Sequence, residues 1–206
     1  MNLNLYKFDE LDQELERLQP FHRLAFAAAC CERMLPNYNA FSRMENWGNP
    51  SILRIALDEV WHILQGKPVD AALIQQLIED CEDAIPDSDE IGGFYDVEAQ
   101  EAAIAICVTL ETCLDPSVQQ IIRVVNCVTN TIDAFVLERD KSFNESEVGL
   151  KKLQELIANH PLAVREMVKQ SEDLQKLKET LSLNKHLIEW LHTSSNNNGK
   201  SLINLS

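Results

Sequence analysis

The sequence predicts an all-α protein, a single compact multi-helix bundle of eight or nine helices. Apolar residues recur three and four apart along most of the chain, the spacing that stacks side chains on one helical face. Valine and isoleucine follow that same spacing and do not alternate with polar residues as they would in strands. Asn-Pro, Asp-Pro and Gly-x-Pro signals cut the chain into helix-length pieces. At 206 residues it is long enough to bury one sizeable core.

Residues 8–18 read as a short amphipathic helix, interrupted by Pro20. In residues 21–35, FHRLAFAAACCERML, a stripe of Leu24, Ala27, Ala28, Cys31, Met34 and Leu35 is widened by Ala25, Phe26, Ala29 and Cys30. A helix that is apolar most of the way round belongs at the centre of a fold. Its small side chains would let neighbouring backbones come close. Pro36 is expected to end it, with residues 36–46 forming another short helix. Asn49 as N-cap and Pro50 at the first helical position open a helix to about Gln65, with Leu53, Ala56, Leu57, Val60 and Leu64 facing inward. Gly66 and Pro68 stop it. Asp70 can cap the next helix, 71–84, whose stripe is Leu73, Ile74, Leu77, Ile78 and Cys81.

Residues 86–95, PDSDEIGGFY, combine proline, paired glycines and acids, and read as a loop. A long helix follows to about Leu114. Asp115-Pro116 repeats the cap-then-proline signal and opens a helix to about Arg139, with Val118, Ile121, Ile122, Val125, Val128, Ile132, Phe135 and Val136 on its stripe. Residues 140–145 connect to a helix ending near Ala158, with Asn144 and Glu147 resembling a capping box. Asn159-His160-Pro161 starts a last helix to about His192, with Leu174, Leu177, Leu181, Ile188 and Leu191 inward. Residues 1–192 therefore form one domain, and 193–206, polar with an asparagine run, a mobile tail.

The net charge of −15 is unevenly placed. Residues 1–115 hold 22 Asp/Glu against 7 Lys/Arg, whereas 116–206 hold 11 of each. No Lys or Arg occurs over the 55 residues 68–122, where 13 carboxylates lie. Such a surface repels phosphate backbones and attracts a basic protein or a cation. Nucleic acid is therefore not the expected partner. There is no run of about 18 apolar residues, so no membrane span is expected. The N-terminal stretch lacks the basic start and apolar centre of a signal peptide, and the expected location is cytoplasmic. The six cysteines, at 30, 31, 81, 107, 113 and 127, sit in apolar helical stretches and are expected as free, buried thiols. No C-x-x-C occurs.

Four constellations bear on chemistry. Glu-x-x-His occurs twice, as Glu59/His62 and Glu189/His192, with Glu32 and Glu111 available as further ligands of a di-metal site. The helical wheel turns Glu59 and His62 away from their stripe, so no metal is assigned. The segment from Asp87 to Glu98 partly matches a calcium loop, with acids at positions 1 and 3, Gly92 at 6 and Glu98 at 12, but Ile91 fills position 5 where an oxygen is needed. A Cys30–His22 nucleophile lacks any reason for a depressed thiol pKa. Arg33, with Glu32 before it on the most apolar helix, is read as part of a buried structural ion pair. No phosphate-binding glycine loop or nucleophile elbow is present, and no cofactor or catalytic residue is assigned.

The segments AFAAACCERMLPNYNAF (25–41), NPSILRIALDEVWHIL (49–64) and CEDAIPDSDE (81–90), with Phe94-Tyr95 and the helix after them, resemble the bacterial family catalogued as domain of unknown function 416. The C-E-R-M-x-P-N-Y and E-x-A-I-P segments are the most specific parts. The likeness covers about 20–114 closely and the second half loosely. It implies an all-helical cytoplasmic protein and brings no catalytic residues to carry over; the asparagine-rich tail departs from it.

The resulting functional expectation is a non-enzymatic interaction module. Its partner-binding residues are Asp87, Asp89, Glu90, Asp96 and Glu98, and its partner is a basic protein, such as a nuclease or toxin held by an acidic inhibitor or immunity-type protein. A homodimer burying helix faces across a two-fold axis is a further reading. The alternative is a metal-dependent helical-bundle enzyme using the Glu-x-x-His pairs or the acidic loop.

Overall fold

Residues 8–87, 91, 93–139 and 150–205 are described by the computed structural model, and among them nine α-helices and no strand occur. They are α1 (Phe8–Glu16), α2 (Pro20–Glu45), α3 (Pro50–Leu64), α4 (Ala71–Glu82), α5 (Asp96–Leu114), α6 (Val118–Glu138), α7 (Leu150–Ala158), α8 (Pro161–Lys178) and α9 (Lys185–Ser195), followed by a 3₁₀ turn at Asn197–Gly199.

Two alanine-rich helices make the centre. Ala25 to Cys31 of α2 are all fully buried, as are Ala99, Ala102, Ala103, Ala105 and Ile106 of α5. Small side chains allow close backbone approach, and α2 packs against α3, α5, α6, α8 and α9. The layer around this pair comes from helices with one apolar stripe. Leu53, Ala56, Leu57, Val60 and Leu64 of α3 are buried as the spacing requires, and so are Ile121, Val125, Val128, Ile132 and Val136 of α6. Asn49 and Asp70 cap α3 and α4, accepting bonds from Ile52 N and from Ala72 N and Leu73 N.

Four boundaries differ from the sequence expectation. Pro36 does not end α2 but lies inside it. An internal proline costs about 3 kcal/mol; here Met34 and Leu35 before it and Asn37, Tyr38 and Phe41 after it are all buried. The Tyr38 hydroxyl donates to Ala84 O (2.7 Å) and accepts from Asn49 N (3.1 Å), fastening the second half of the helix to the turn after α4. Gly48, at φ +85°, passes so close to that hydroxyl that a Cβ would collide with it. Asp115 closes α5 instead of opening α6, because Ser117 takes the N-cap position and Pro116 is left in the link.

The expected last helix is two. Asn184 caps α9 by accepting from Leu187 N (3.0 Å), and Leu181, expected inward, is 91% exposed in the connection. Its leucine fits the three-four pattern by coincidence of spacing. The segment expected as a mobile tail is docked: Ser195, Ser201, Leu202 and Ile203 are buried, and Leu202 N donates to Arg33 O (2.8 Å). Two apolar residues within a polar stretch suffice to seat it against α2 and α8. The capping pair Asn144–Glu147 lies outside the described residues.

One half-buried position of α6 is under electrostatic tension. Asp133 of α6 has a buried Oδ1 without a hydrogen-bond partner, and burial pushes its carboxyl up to about 6. A raised acid favours its neutral form in the fold, so stability is lost as pH rises from the ordinary 3.8 through about 6. Asp133→Asn is expected to raise stability by roughly 1 kcal/mol at neutral pH, discounted for partial exposure. Melting temperatures should show the gain at neutral pH and none below the ordinary carboxylate pKa; an unchanged neutral-pH value would contradict it.

Candidate functional site

The five acidic residues expected to bind a partner are not presented alike. Asp87 is exposed at the turn after α4, while Asp89 and Glu90 lie outside the described residues. Asp96 and Glu98 turn toward Arg139 at the end of α6, at 3.7 and 3.3 Å. The Arg139 guanidinium also lies 5.1 Å from the Tyr95 ring centroid. Glu98 is fully buried, and burial raises its carboxyl above the usual range despite Arg139. Glu98 therefore cannot form part of an exposed docking face. For the same reason it is not available as the closing ligand of a calcium loop. Its partner lies 41 residues along the chain, out of reach of any local pattern.

Exposed negative charge is carried instead by the outer face of α4 and its flanks. Asp70, Glu79, Glu82 and Asp83 are exposed, and none forms an ion pair among the described residues. The same helix buries Ile74, Leu77, Ile78 and Cys81, so its two faces divide cleanly.

Glu32 and Arg33 do not pair with each other. Adjacent on α2 and therefore about 100° apart, they anchor separate networks. Arg33 makes a forked contact with Glu166 of α8 (Nε–Oε2 2.8 Å, Nη2–Oε1 2.7 Å) and donates from Nη1 to Asp173 (3.1 Å) and Ser195 of α9 (3.2 Å). Lys169 bonds Asp173 from the other side, and its ammonium lies 4.4 Å from the Trp190 ring centroid. All three central groups are buried, which makes this a structural tie between α2, α8 and α9.

Glu32 faces α3 and α9. Arg54 grips it with both terminal nitrogens (2.9 and 2.8 Å), Trp61 Nε1 donates at 2.6 Å, and His192 Nε2 sits at 3.2 Å. The Trp61 and His192 rings lie 4.9 Å apart. Burial opposes the charge on Glu32, but the bonds from His192 and Arg54 outweigh it and hold the carboxyl at about 2. The bond to Glu32 raises His192 above its ordinary value, against partial burial. These residues edge a cleft of about 290 Å³, lined also by Leu35, Pro36, Asn39 and Arg43 of α2 and by Asn196 and Gly199.

The Glu-x-x-His pairs do not assemble into a metal centre. Glu59 is buried and bonded to Lys67 (2.6 Å), with His62 3.9 Å away and turned outward. Glu189 faces Lys185, Glu111 faces Arg123 (2.9 Å), and Glu32 is taken by Arg54. Among the described residues no group of three His, Cys, Asp or Glu side chains is placed to share a metal ion. His22 Nε2 faces Thr180 O (2.9 Å), not Cys30, whose fully buried thiol is pushed far up by desolvation. All six cysteines are free, five of them buried. No helix among the described residues is long and apolar enough to cross a membrane.

A family model described as "Protein of unknown function (DUF416)" matches residues 10–206. The chain belongs to this family. It is 38% identical over 96 residues to the uncharacterized protein YjaG of Salmonella typhimurium, and equally so to YjaG of Escherichia coli, matching 47% of this chain and 46% of each relative. The chain thus spans about half the length of those relatives in the match. An uncharacterized protein of Haemophilus influenzae is 28% identical over 147 residues, 71% of this chain and 74% of that one. The crystal structure of a DUF416 family protein from Shewanella baltica superposes with a TM-score of 0.83 at 23% identity, covering 95% of this chain and 97% of that one. That likeness shows a shared DUF416 fold, and it extends through the second half, where the motifs in the sequence thin out.

Proposed function

We propose that this DUF416 chain is a non-enzymatic protein-interaction module that docks a basic protein partner on the acidic face of α4 and the turn after it. The observation that carries the reading is the set Asp70, Glu79, Glu82 and Asp83, exposed and without ion pairs among the described residues, within 55 residues that contain no Lys or Arg. No Lys or Arg among the described residues pairs with them, so their field extends into solvent and steers an oppositely charged surface. In the sequence Asp87, Asp89 and Glu90 follow directly on that helix; Asp96 and Glu98 are left to hold the start of α5. The same field disfavours nucleic acid. An inhibitor or immunity-type protein held against a basic enzyme is one form such a partnership takes.

The test is affinity capture from the native cell with the wild-type chain and with Glu79→Lys, Glu82→Lys and Asp83→Lys combined. The wild type should retain a basic protein whose capture weakens as salt rises, and the reversed chain should lose it. These positions are exposed, so the variant keeps its fold. Equal recovery of every captured protein by both chains would overturn the reading.

A further inference from the structure

The cleft beside Glu32 is a concave polar site that neither the acidic face nor the Arg33 network accounts for. Its lining is unusual for a chain with a net charge of −15, holding two arginines, one histidine and two asparagines against a single carboxylate. That carboxylate is already committed. Glu32 is nine-tenths buried and receives Arg54 at two points, Trp61 and His192. Its charge is spent inside the wall, where it fixes the His192 ring by Nε2 at the edge of the cleft.

The α2 wall follows from sequence spacing. Residues 32, 35, 36, 39 and 43 fall on one helical face, so Glu32, Asn39 and Arg43 stand in a row. Their alignment needs α2 to run unbroken past Pro36; a helix ended there would separate Arg43 from Glu32. Arg54 comes from α3, His192 from α9, and Asn196 and Gly199 close the far end. Arg54 is held by both Glu32 and Asp58 (2.8 Å each) and serves as wall, not as a free donor. Arg43 and His192 are both exposed enough to meet a solute.

We propose that this cleft binds a small oxyanion-bearing molecule, its carboxylate or phosphoryl oxygens received by Arg43, His192 and the amides of Asn39 and Asn196. About 290 Å³ sets the size at the small end of ligand pockets, a compact metabolite and not a nucleotide. The preorganisation is electrostatic. The His192 ring is held in place by Glu32 before any ligand arrives, so binding costs little reorganisation.

Calorimetric titration of the full chain with inorganic phosphate and, separately, with succinate, at about pH 6 and constant ionic strength, tests this. One equivalent of either anion should bind saturably. Binding of phosphate alone assigns a phosphoryl ligand, and of succinate alone a carboxylate. Arg43→Gln and His192→Gln should each weaken binding by roughly tenfold. Asn39→Trp, which fills the cleft without altering a charge, should abolish it. Absence of saturable binding by both anions, or binding that survives all three substitutions, overturns the proposal. Because none of these residues lies on α4, the result is independent of the partner-capture experiment.

Discussion

Replacing Arg33 with methionine is expected to destabilise the protein by roughly 3–5 kcal/mol, the cost of breaking a buried charge network by removing one partner. The guanidinium is 5% exposed, and Glu166 and Asp173 are no more accessible. Without it, two carboxylates are left facing each other inside the fold. Lys169 still reaches Asp173, but Glu166 keeps only the amide of Gln170 (3.0 Å). Burial already raises the Asp173 carboxyl against the pull of Arg33 and Lys169, so losing Arg33 drives it toward its neutral form. Urea unfolding should show a lower midpoint with an unchanged slope. Arg33→Lys should recover little, since an ammonium cannot reproduce the fork to Glu166 while also reaching Asp173 and Ser195. Adding Glu166→Leu and Asp173→Leu to Arg33→Met should recover most of the loss, because the buried carboxylates go with the guanidinium and Lys169 keeps Glu172 (3.5 Å). A loss below about 1 kcal/mol in Arg33→Met would show that the carboxylates find other partners.

That network also shows where the sequence stops being informative. The stripes of α3 and α6 were readable because burial of one helical face leaves a period of 3.6 in the chain. The centrality of α2 was readable from its apolar circumference. Pro36 misled because a local rule about backbone donors gave way to packing on both sides of it, through Tyr38 above all. Leu181 misled because one residue at the right spacing is indistinguishable from a stripe. The break after α8 had a signal, Asn184 as a cap, which the longer pattern overrode. The site is a different matter. Arg33 and Glu32 each gave away their likelihood of pairing, but the partners stand 133 and 140 positions away for Arg33 and 160 away for the Glu32–His192 contact, and no local spacing encodes them. Glu98 looked like surface for the same reason, since Arg139 arrives from another helix. Charge density along the chain predicts how much acid a surface carries, not which acids are turned inward.

Acidification should unfold the protein mainly through Glu32. Its carboxyl is held at about 2 against an ordinary 4.5, so its folded-state pKa is depressed and its contribution is present above pH 4.5 and lost as pH falls toward 2. The shift corresponds to about 3 kcal/mol at most, for a side chain that is 10% exposed. His192 acts in the opposite direction. Its pKa is raised, so its contribution is complete below the ordinary 6.5 and fades as pH climbs through the folded value. The two statements describe one contact, which is therefore strongest between pH 4.5 and 6.5. Arg54 and Trp61 keep their hold on Glu32 above that window, so the alkaline decline should be much shallower than the acid one. Glu32→Gln should lower stability near pH 6 by an amount of the order of 3 kcal/mol and flatten the acid limb. His192→Gln should make the acid limb shallower, leaving what Arg54 sustains, and remove the alkaline decline. The distinction matters because simple burial of a carboxylate predicts the reverse slope, stability rising on acidification, as at Asp133. A Glu32→Gln profile running parallel to the wild type between pH 4.5 and 2 would show that the Arg54–His192 grip does not hold the charge.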